Sequence, residues 1–362
     1  MAGWVRRSLA AVGVALAGLV VGLNACRGPL VVEPLRRNGA ALPVDGDLEL
    51  ARRYGPFLYK AVHLEKGRQD LPARVDFDGD LDGENNWETF PHHELVPTVS
   101  YACVESATHW FLTYHVFHPR DWTHVDLGVH LTHEGDGENL QVAVRKSTGR
   151  VELLYTQAHY DGAVHPHPDV PVGAREIEPR GPLVLVDDEG RVDPGGTHAA
   201  VFVESGGHGI HAVGDPRADV EVAASGSFAF DGHGILFRPA RVGEPVAEPP
   251  LDAEVVPYAL ASTLAGLWPA LRDGTLVGEG RLLDGPVPYR DARLTIDVPR
   301  YHEADRFSGP FGPDRGISPF AVGFGFDDDL GRLFFDPARR YAEALVVPEP
   351  WALELEPYPF GD

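Results

Sequence analysis

Histidine and carboxylate side chains crowd into one stretch of this chain. Fourteen of its 17 histidines fall between His92 and His211. Inside that window, His133-Glu134-Gly135-Asp136-Gly137-Glu138 follows closely on Phe117-His118-Pro119-Arg120-Asp121-Trp122. The first of these runs reads H-x-x-D-x-E, which can bring the His133 imidazole and the Asp136 and Glu138 carboxylates onto one cation. One imidazole with two or three carboxylates suits Mg²⁺, Ca²⁺ or Mn²⁺ better than a structural zinc site. The zinc-protease helix H-E-x-x-H is excluded, because residue 137 is glycine where that motif has its second histidine. Gly135 and Gly137 also argue against a helix, so a tight loop leading into a strand at Leu140 is expected. A solvated acidic turn is the competing reading of the same residues.

Other residues invite chemistry less strongly. Asp76-Phe77-Asp78-Gly79-Asp80-Leu81-Asp82-Gly83 contains D-x-D-x-D-G, the first half of a calcium loop, with Asp78, Asp80 and Asp82 as donors. Its second half fails, since Thr89 stands at the twelfth position and Glu88 falls one residue early. A calcium turn outside the EF-hand class or a solvated turn remains. His208, flanked by glycines after an apolar run, reads as a residue lining a site. Glu134, Glu204 and Glu105 are the candidate proton carriers. His118, His124 and His130 are spaced too irregularly to share a face, and read as surface or satisfied core histidines. Nucleophilic catalysis finds no G-x-S-x-G elbow, and Cys103 sits in a strand-like run as an inert buried thiol.

The elements that must position these groups are short strands. Residues 109–117 (HWFLTYHVF) are aromatic and β-branched, as a buried strand should be. Residues 140–145 and 151–157 flank Lys146-Ser147-Thr148-Gly149-Arg150 as a hairpin. Residues 183–186, 199–204, 227–230 and 235–237 continue the pattern. With 41 glycines and 32 prolines, long helices are not expected. Two short ones are predicted, over 256–271, ended by Pro269, and over 337–345, opened by Pro337. The fold class is therefore all-β, mainly strands with one or two short helices, as a β-sandwich or barrel. No repeat, heptad or sharp linker divides residues 51–362, which read as a single domain.

The run Val116-Phe117-His118-Pro119-Arg120-Asp121, followed by H-x-x-D-x-E, resembles the necrosis- and ethylene-inducing-peptide-like proteins. These have an aromatic strand ending at an aspartate and then the heptapeptide G-H-R-H-D-W-E. The resemblance implies a β-sandwich with a divalent-ion site, carried over by motif to Asp121, His133, Asp136 and Glu138. A related set, the vacuolar-protein-sorting-like proteins, has H-E-G-D-W-E and a later strand ending in G-S-H-A. Here Val201-Phe202-Val203-Glu204-Ser205-Gly206-Gly207-His208 is similar to that second element. The likeness covers roughly residues 100–210. Gly137 stands where the relatives have tryptophan, Glu134-Gly135 replaces arginine-histidine, and the spacing from Asp121 to His133 is longer. Toxicity is not implied.

The N-terminus bears on where the protein works. Arg6 and Arg7 precede an uncharged run over 8–23, too short for a bilayer-spanning helix of about 20 residues. Leu23-Asn24-Ala25-Cys26 then looks like a lipobox. The expectation is a signal peptide over 1–25, lipidation of Cys26, and a proline-containing tether over 26–50. A diacylglyceryl group with an N-acyl chain would anchor the protein firmly in a membrane of the bacterial cell envelope. Cleavage removes two arginines and no acids, taking the formal charge from −23 to −25. Such acidity excludes nucleic acid as a partner and suits a divalent cation or a neutral glycan. The leading expectation is an anchored protein that binds a glycan or lipid head group through its ion. A metal-dependent hydrolase of the envelope and a structural envelope protein without ligand are the alternatives.

Overall fold

The computed structural model describes residues 44–63, 65–122, 133–159, 161–213, 232–290, 294–301, 317–324 and 331–361. Cys26, His124, His130 and the strand expected over 227–230 lie outside these residues. The architecture is mostly β. One mixed sheet carries β1 (Phe57–His63), β2 (Thr98–Glu105), β3 (His109–Arg120), β4 (Glu134–Arg145), β5 (Arg150–Ala158), β6 (Asp161–Pro166), β8 (Leu185–Val186, beside β9), β9 (His198–Val203), β10 (Ile210–Ala212), β11 (Gly232–Pro239) and β12 (Val255–Ser262), while the short β7 (Gly173–Ala174) pairs outside it. Its order is β10-β9-β1-β11-β12-β2-β3-β4-β5-β6.

That order becomes a sandwich at β12. Residues 255–258 pair in parallel with β11, and residues 259–262 pair in parallel with β2. One strand thus changes partners midway, which is how a sheet turns a corner and faces itself. Buried apolar side chains fill the space between, with Leu112, Tyr114, Val116, Leu140 and Val142 from one half and Leu58, Val62, Val201 and Val203 from the other. β4 is buried along its whole length. Its outer side is covered by later segments: Gln141 Nε2 donates to the Leu333 carbonyl (2.8 Å) and Asn139 Nδ2 to that of Ser318 (3.1 Å).

Three expectations need correction. The helix predicted over 256–271 is strand β12 followed by a short helix, Leu267–Arg272. Parallel pairing with β11 along its first half and with β2 along its second holds β12 extended, and this pairing overrides local helix propensity. Pro269 lies in the first turn of the short helix, where its missing N–H costs nothing, and so does not end it. The tether expected over 26–50 is helical from Val44, in Val44–Arg53, with Leu48 and Leu50 packed on the core. The loop expected over 133–138 is strand, since β4 starts at Glu134 and pairs His118 with Asp136 and Val116 with Glu138. Gly137 is required there: a Cβ would lie 2.3 Å from Cε1 of His115, whose ring covers it. The helix expected over 337–345 is present as Pro337–Ala344.

Candidate metal centre

The end of β1 and the H-x-x-D-x-E strand meet at one end of the sandwich. Five buried carboxylates gather there, from Asp70, Asp121, Asp136, Glu138 and Glu204, with one buried ammonium, Lys60. Burying charge without compensation costs several kcal/mol per group, so the site must be wired by hydrogen bonds or hold a cation. Both features are legible in its geometry.

The register of β3 and β4 sets His118 opposite Asp136. The turn after β9 brings His208 onto both. Donor atoms of His118, Asp136 and His208 lie within 4.8 Å of one another, and all three residues are buried. The imidazoles of His118 and His208 stack at 3.7 Å and 14°. His208 adopts φ +56°, as does His159, and these are the non-glycine residues with positive φ among those described. That conformation costs a β-carbon-bearing residue about 1–2 kcal/mol, a strain found where the surroundings over-determine a side chain. Gly206 has φ +87°, and a Cβ on it would stand 2.8 Å from the Trp122 carbonyl oxygen.

Asp70 sits behind the group and fixes His208. Its Oδ1 accepts from His208 Nε2 (3.2 Å), Trp122 Nε1 (3.0 Å) and the Gly206 amide (2.9 Å). Its Oδ2 accepts from the His63 amide (2.9 Å) and the Ser205 hydroxyl (2.8 Å). Burial pushes this carboxyl up, but the His208 bond, the Lys60 and His208 charges and the His63 amide outweigh it and bring it to about 2. His208 Nδ1 meets Asp136 Oδ2 at 2.5 Å. A carboxylate holding one nitrogen of an imidazole while the other faces a cation site is the arrangement that fixes a metal-ligating histidine. Asp136 is also raised by burial, and the His208 bond with the charges of His208, His133 and His159 brings its carboxyl below the ordinary value.

His118 has no such partner. Both its ring nitrogens are buried and make no hydrogen bond among the described residues. Burial first, then the His208, Lys60 and His115 charges, hold its imidazole well below the usual range and therefore neutral. A neutral, desolvated imidazole beside a carboxylate and a second imidazole is the chemistry of a cation ligand, so the residues fit a divalent ion.

The remaining expected ligands stand around this group. Glu138 Oε1 accepts the His159 amide at 2.6 Å. His133 Nδ1 faces the carbonyls of Glu134 (3.2 Å) and Gly135 (3.0 Å), and its Nε2 lies 3.7 Å from Asp121 Oδ2. Only Asp136 of the four belongs to the tight group. Glu204 faces His159 Nε2 (3.2 Å) and His211 Nε2 (2.5 Å), and Lys60 Nζ donates to its backbone carbonyl. Burial raises Glu204, yet the bonds and charges of His159 and His211 bring it to about 2. Burial lowers Lys60 to about 8, against the pull of Asp70, Asp136 and Glu204.

Other expectations fall elsewhere. Glu134 Oε2 accepts the Trp87 amide at 2.7 Å. Glu105 pairs with Lys146 at the far end of β2. Asp78, Asp80 and Asp82 cap the backbone of their own turn, through the Asp80 (3.3 Å), Asp82 (2.9 Å) and Glu84 (2.9 Å) amides, and do not converge. His118, read from sequence as an ordinary histidine, is the residue that reading missed, together with Asp70 and Lys60. Pairing register would have found the first.

No family model and no curated protein matches the chain. Among solved structures it is similar to one described as a toxin fold for microbial attack and plant defence, at 15% identity over 51% of this chain and 76% of that one, with a TM-score of 0.29. It is similar to Necrosis and Ethylene inducing Protein 2 from the causal agent of cocoa's witches' broom disease, at 14% identity over 65% of this chain and 82% of that one, with a TM-score of 0.27. A third similar structure is NLPPya in complex with mannosamine, at 15% identity over 51% of this chain and 76% of that one, with a TM-score of 0.28.

Proposed function

We propose that the chain is an exported, lipid-anchored binding protein that holds one divalent cation at this end of its sandwich and uses it to bind a polar ligand, a glycan or lipid head group. The observation that carries the proposal is His118, whose two buried and unpartnered nitrogens stand beside Asp136 and His208. His118, Asp136 and His208 would hold the ion, with His133, Asp121 and Glu138 within the same end. A bound cation supplies positive charge to a carboxylate-rich pocket and a coordination position for a hydroxyl or phosphate oxygen. His159, which pairs with Glu204 beside the centre, has a side chain that is 39% exposed against 11% for Glu204.

The hydrolase reading needs a proton carrier near the ion. Glu204 is in place, but a carboxyl held at about 2 is a weak base at neutral pH, and general bases work best near the operating pH. Glu134 is occupied by the Trp87 amide. Binding is therefore favoured over turnover. Anchoring rests on the Leu23-Asn24-Ala25-Cys26 pattern, and Cys26→Ala should move the protein out of the membrane fraction.

Metal content by elemental mass spectrometry, after dialysis of the full-length chain, tests the centre. About one equivalent of a divalent metal is expected, lost in His118→Ala and in Asp136→Ala while the β signal in circular dichroism persists. Unchanged metal in both variants would sink the proposal.

A further inference from the structure

At the other end of β1 lies a cleft of about 500 Å³ with the opposite electrostatic character. Phe57 forms part of its wall, while His63 at the end of the same strand reaches the centre, so the two sites are about 20 Å apart at ~3.3 Å per residue. The cleft is lined by Arg52 and Arg53 from the last turn of the N-terminal helix, and by Arg238 and Arg241 from the end of β11 and the turn beyond. Four guanidinium groups in one cleft run against the composition of a chain with 54 acids and 31 basic residues.

The nearby acids offset them only in part, since four guanidinium groups face Glu49, Asp188 and Glu244. Arg238 is held bidentately by Glu244, at 2.6 and 2.8 Å. Asp188 is engaged by His198 Nε2 at 2.9 Å, and the other ring nitrogen of His198 meets the Gly55 carbonyl at 2.7 Å. Arg52 donates from Nε to the Ala240 carbonyl at 3.2 Å, which anchors its stem and leaves its terminal nitrogens without an acceptor among the described residues. Arg53 and Arg241 make no ion pair among the described residues. Against these three stand Asp188 and Glu49, the latter without an ion pair among the described residues, and Glu244 also accepts the Arg241 amide at 2.8 Å, which leaves the arginines in excess. The walls add apolar surface, since Phe57 is buried and Pro239 and Val242 complete the rim. Apolar walls strengthen the field of fixed charges within a cleft.

We propose that this cleft is a second binding site, for a small phosphate-bearing anion such as a phosphomonoester or diphosphate. Guanidinium forks match phosphate oxygens two at a time. The volume is that of a small-molecule site, and the organic part of the ligand rests on Phe57, Pro239 and Val242. The site is independent of the metal centre and of the proposed function.

Calorimetric titration of the full-length chain in detergent with inorganic pyrophosphate tests it. Binding is expected that weakens with added salt, and that falls about tenfold or more in Arg53→Gln/Arg241→Gln. Both side chains are exposed, so the variant keeps its fold, which circular dichroism checks. A second arm asks whether Cys26→Ala, lacking the anchor, sediments with phosphatidic acid vesicles and not with phosphatidylcholine. Sedimentation identifies the source as a lipid head group, and its absence with pyrophosphate bound identifies a soluble phosphate. No pyrophosphate binding at about 10 mM, or binding unchanged in the double variant, overturns the proposal.

Discussion

Replacing Asp70 by asparagine keeps the shape at the back of the centre and removes its charge. The native carboxylate only accepts, from two donors on Oδ2 and three on Oδ1. Asparagine retains one oxygen and turns the other into an NH₂ that faces at least two donors. Losing two charge-assisted bonds at roughly 1.5–3 kcal/mol each costs about 3–6 kcal/mol. The titration of Asp70 gives a second route to the magnitude. Despite burial, which raises it, the carboxyl is brought from 3.8 to about 2. At about 1.4 kcal/mol per pH unit this amounts to roughly 2.5 kcal/mol. The two routes agree on a loss of several kcal/mol from a total that is typically about 5–15. Since the folded value lies below the unfolded one, this stability is complete above pH 3.8 and is lost as pH falls toward 2. Urea unfolding of both proteins across that range is the assay, with metal removed by chelator. The parent should weaken toward low pH more steeply than the variant, and lead it by about 3 kcal/mol at neutral pH. A lead below about 1 kcal/mol, or parallel acid profiles, would refute the account of Asp70 as a charged acceptor.

Two further expectations follow from packing. Gly137→Ala places a methyl 2.3 Å from the His115 ring, and that ring is clamped by Asn139 (3.1 Å) and Tyr301 (2.7 Å), so it cannot swing away. A loss of about 1–3 kcal/mol is expected in thermal or urea unfolding, and an unchanged midpoint would show that the ring yields. Cys103 is buried, and burial, with Asp47 and Glu105 adding to it against Lys146, pushes its thiol well up. It should therefore react with a thiol reagent only after denaturation, and rapid labelling of the native protein would contradict its placement.

The strands were legible because their composition is decisive. HWFLTYHVF is too rich in β-branched and aromatic residues to be anything but a buried strand, and it is β3. The run over 255–262 misled because VPYALAS suits a helix locally, and only its two parallel neighbours make it a strand. Among the site residues, local motif reading found Asp136 and His208 but passed over His118. That histidine acquires its role from standing opposite Asp136 across β3 and β4, and the connection over 121–133 is too long to give register from sequence. Asp70 comes from a short turn after β1 with no pattern of its own. Its importance arises wholly from five donors brought by three separate segments.

The donor set also decides which ion to expect, and this separates the two ways of reading the centre. The sequence motif offers one imidazole and three carboxylates, a hard set suited to calcium or magnesium, and calcium takes about six to eight oxygens. The tight group offers two imidazoles and one carboxylate, a set better matched to manganese, iron or zinc. Manganese can satisfy both, so competition is more informative than occupancy alone. If His118 and His208 hold the ion, manganese or zinc should displace calcium from the chelator-stripped protein about tenfold or more preferentially, and His118→Ala should abolish that preference. If calcium binds as tightly as manganese, and His118→Ala leaves its affinity intact, the ion rests on the carboxylates of Asp121, Asp136 and Glu138. The unpartnered nitrogens of His118 would then need another explanation.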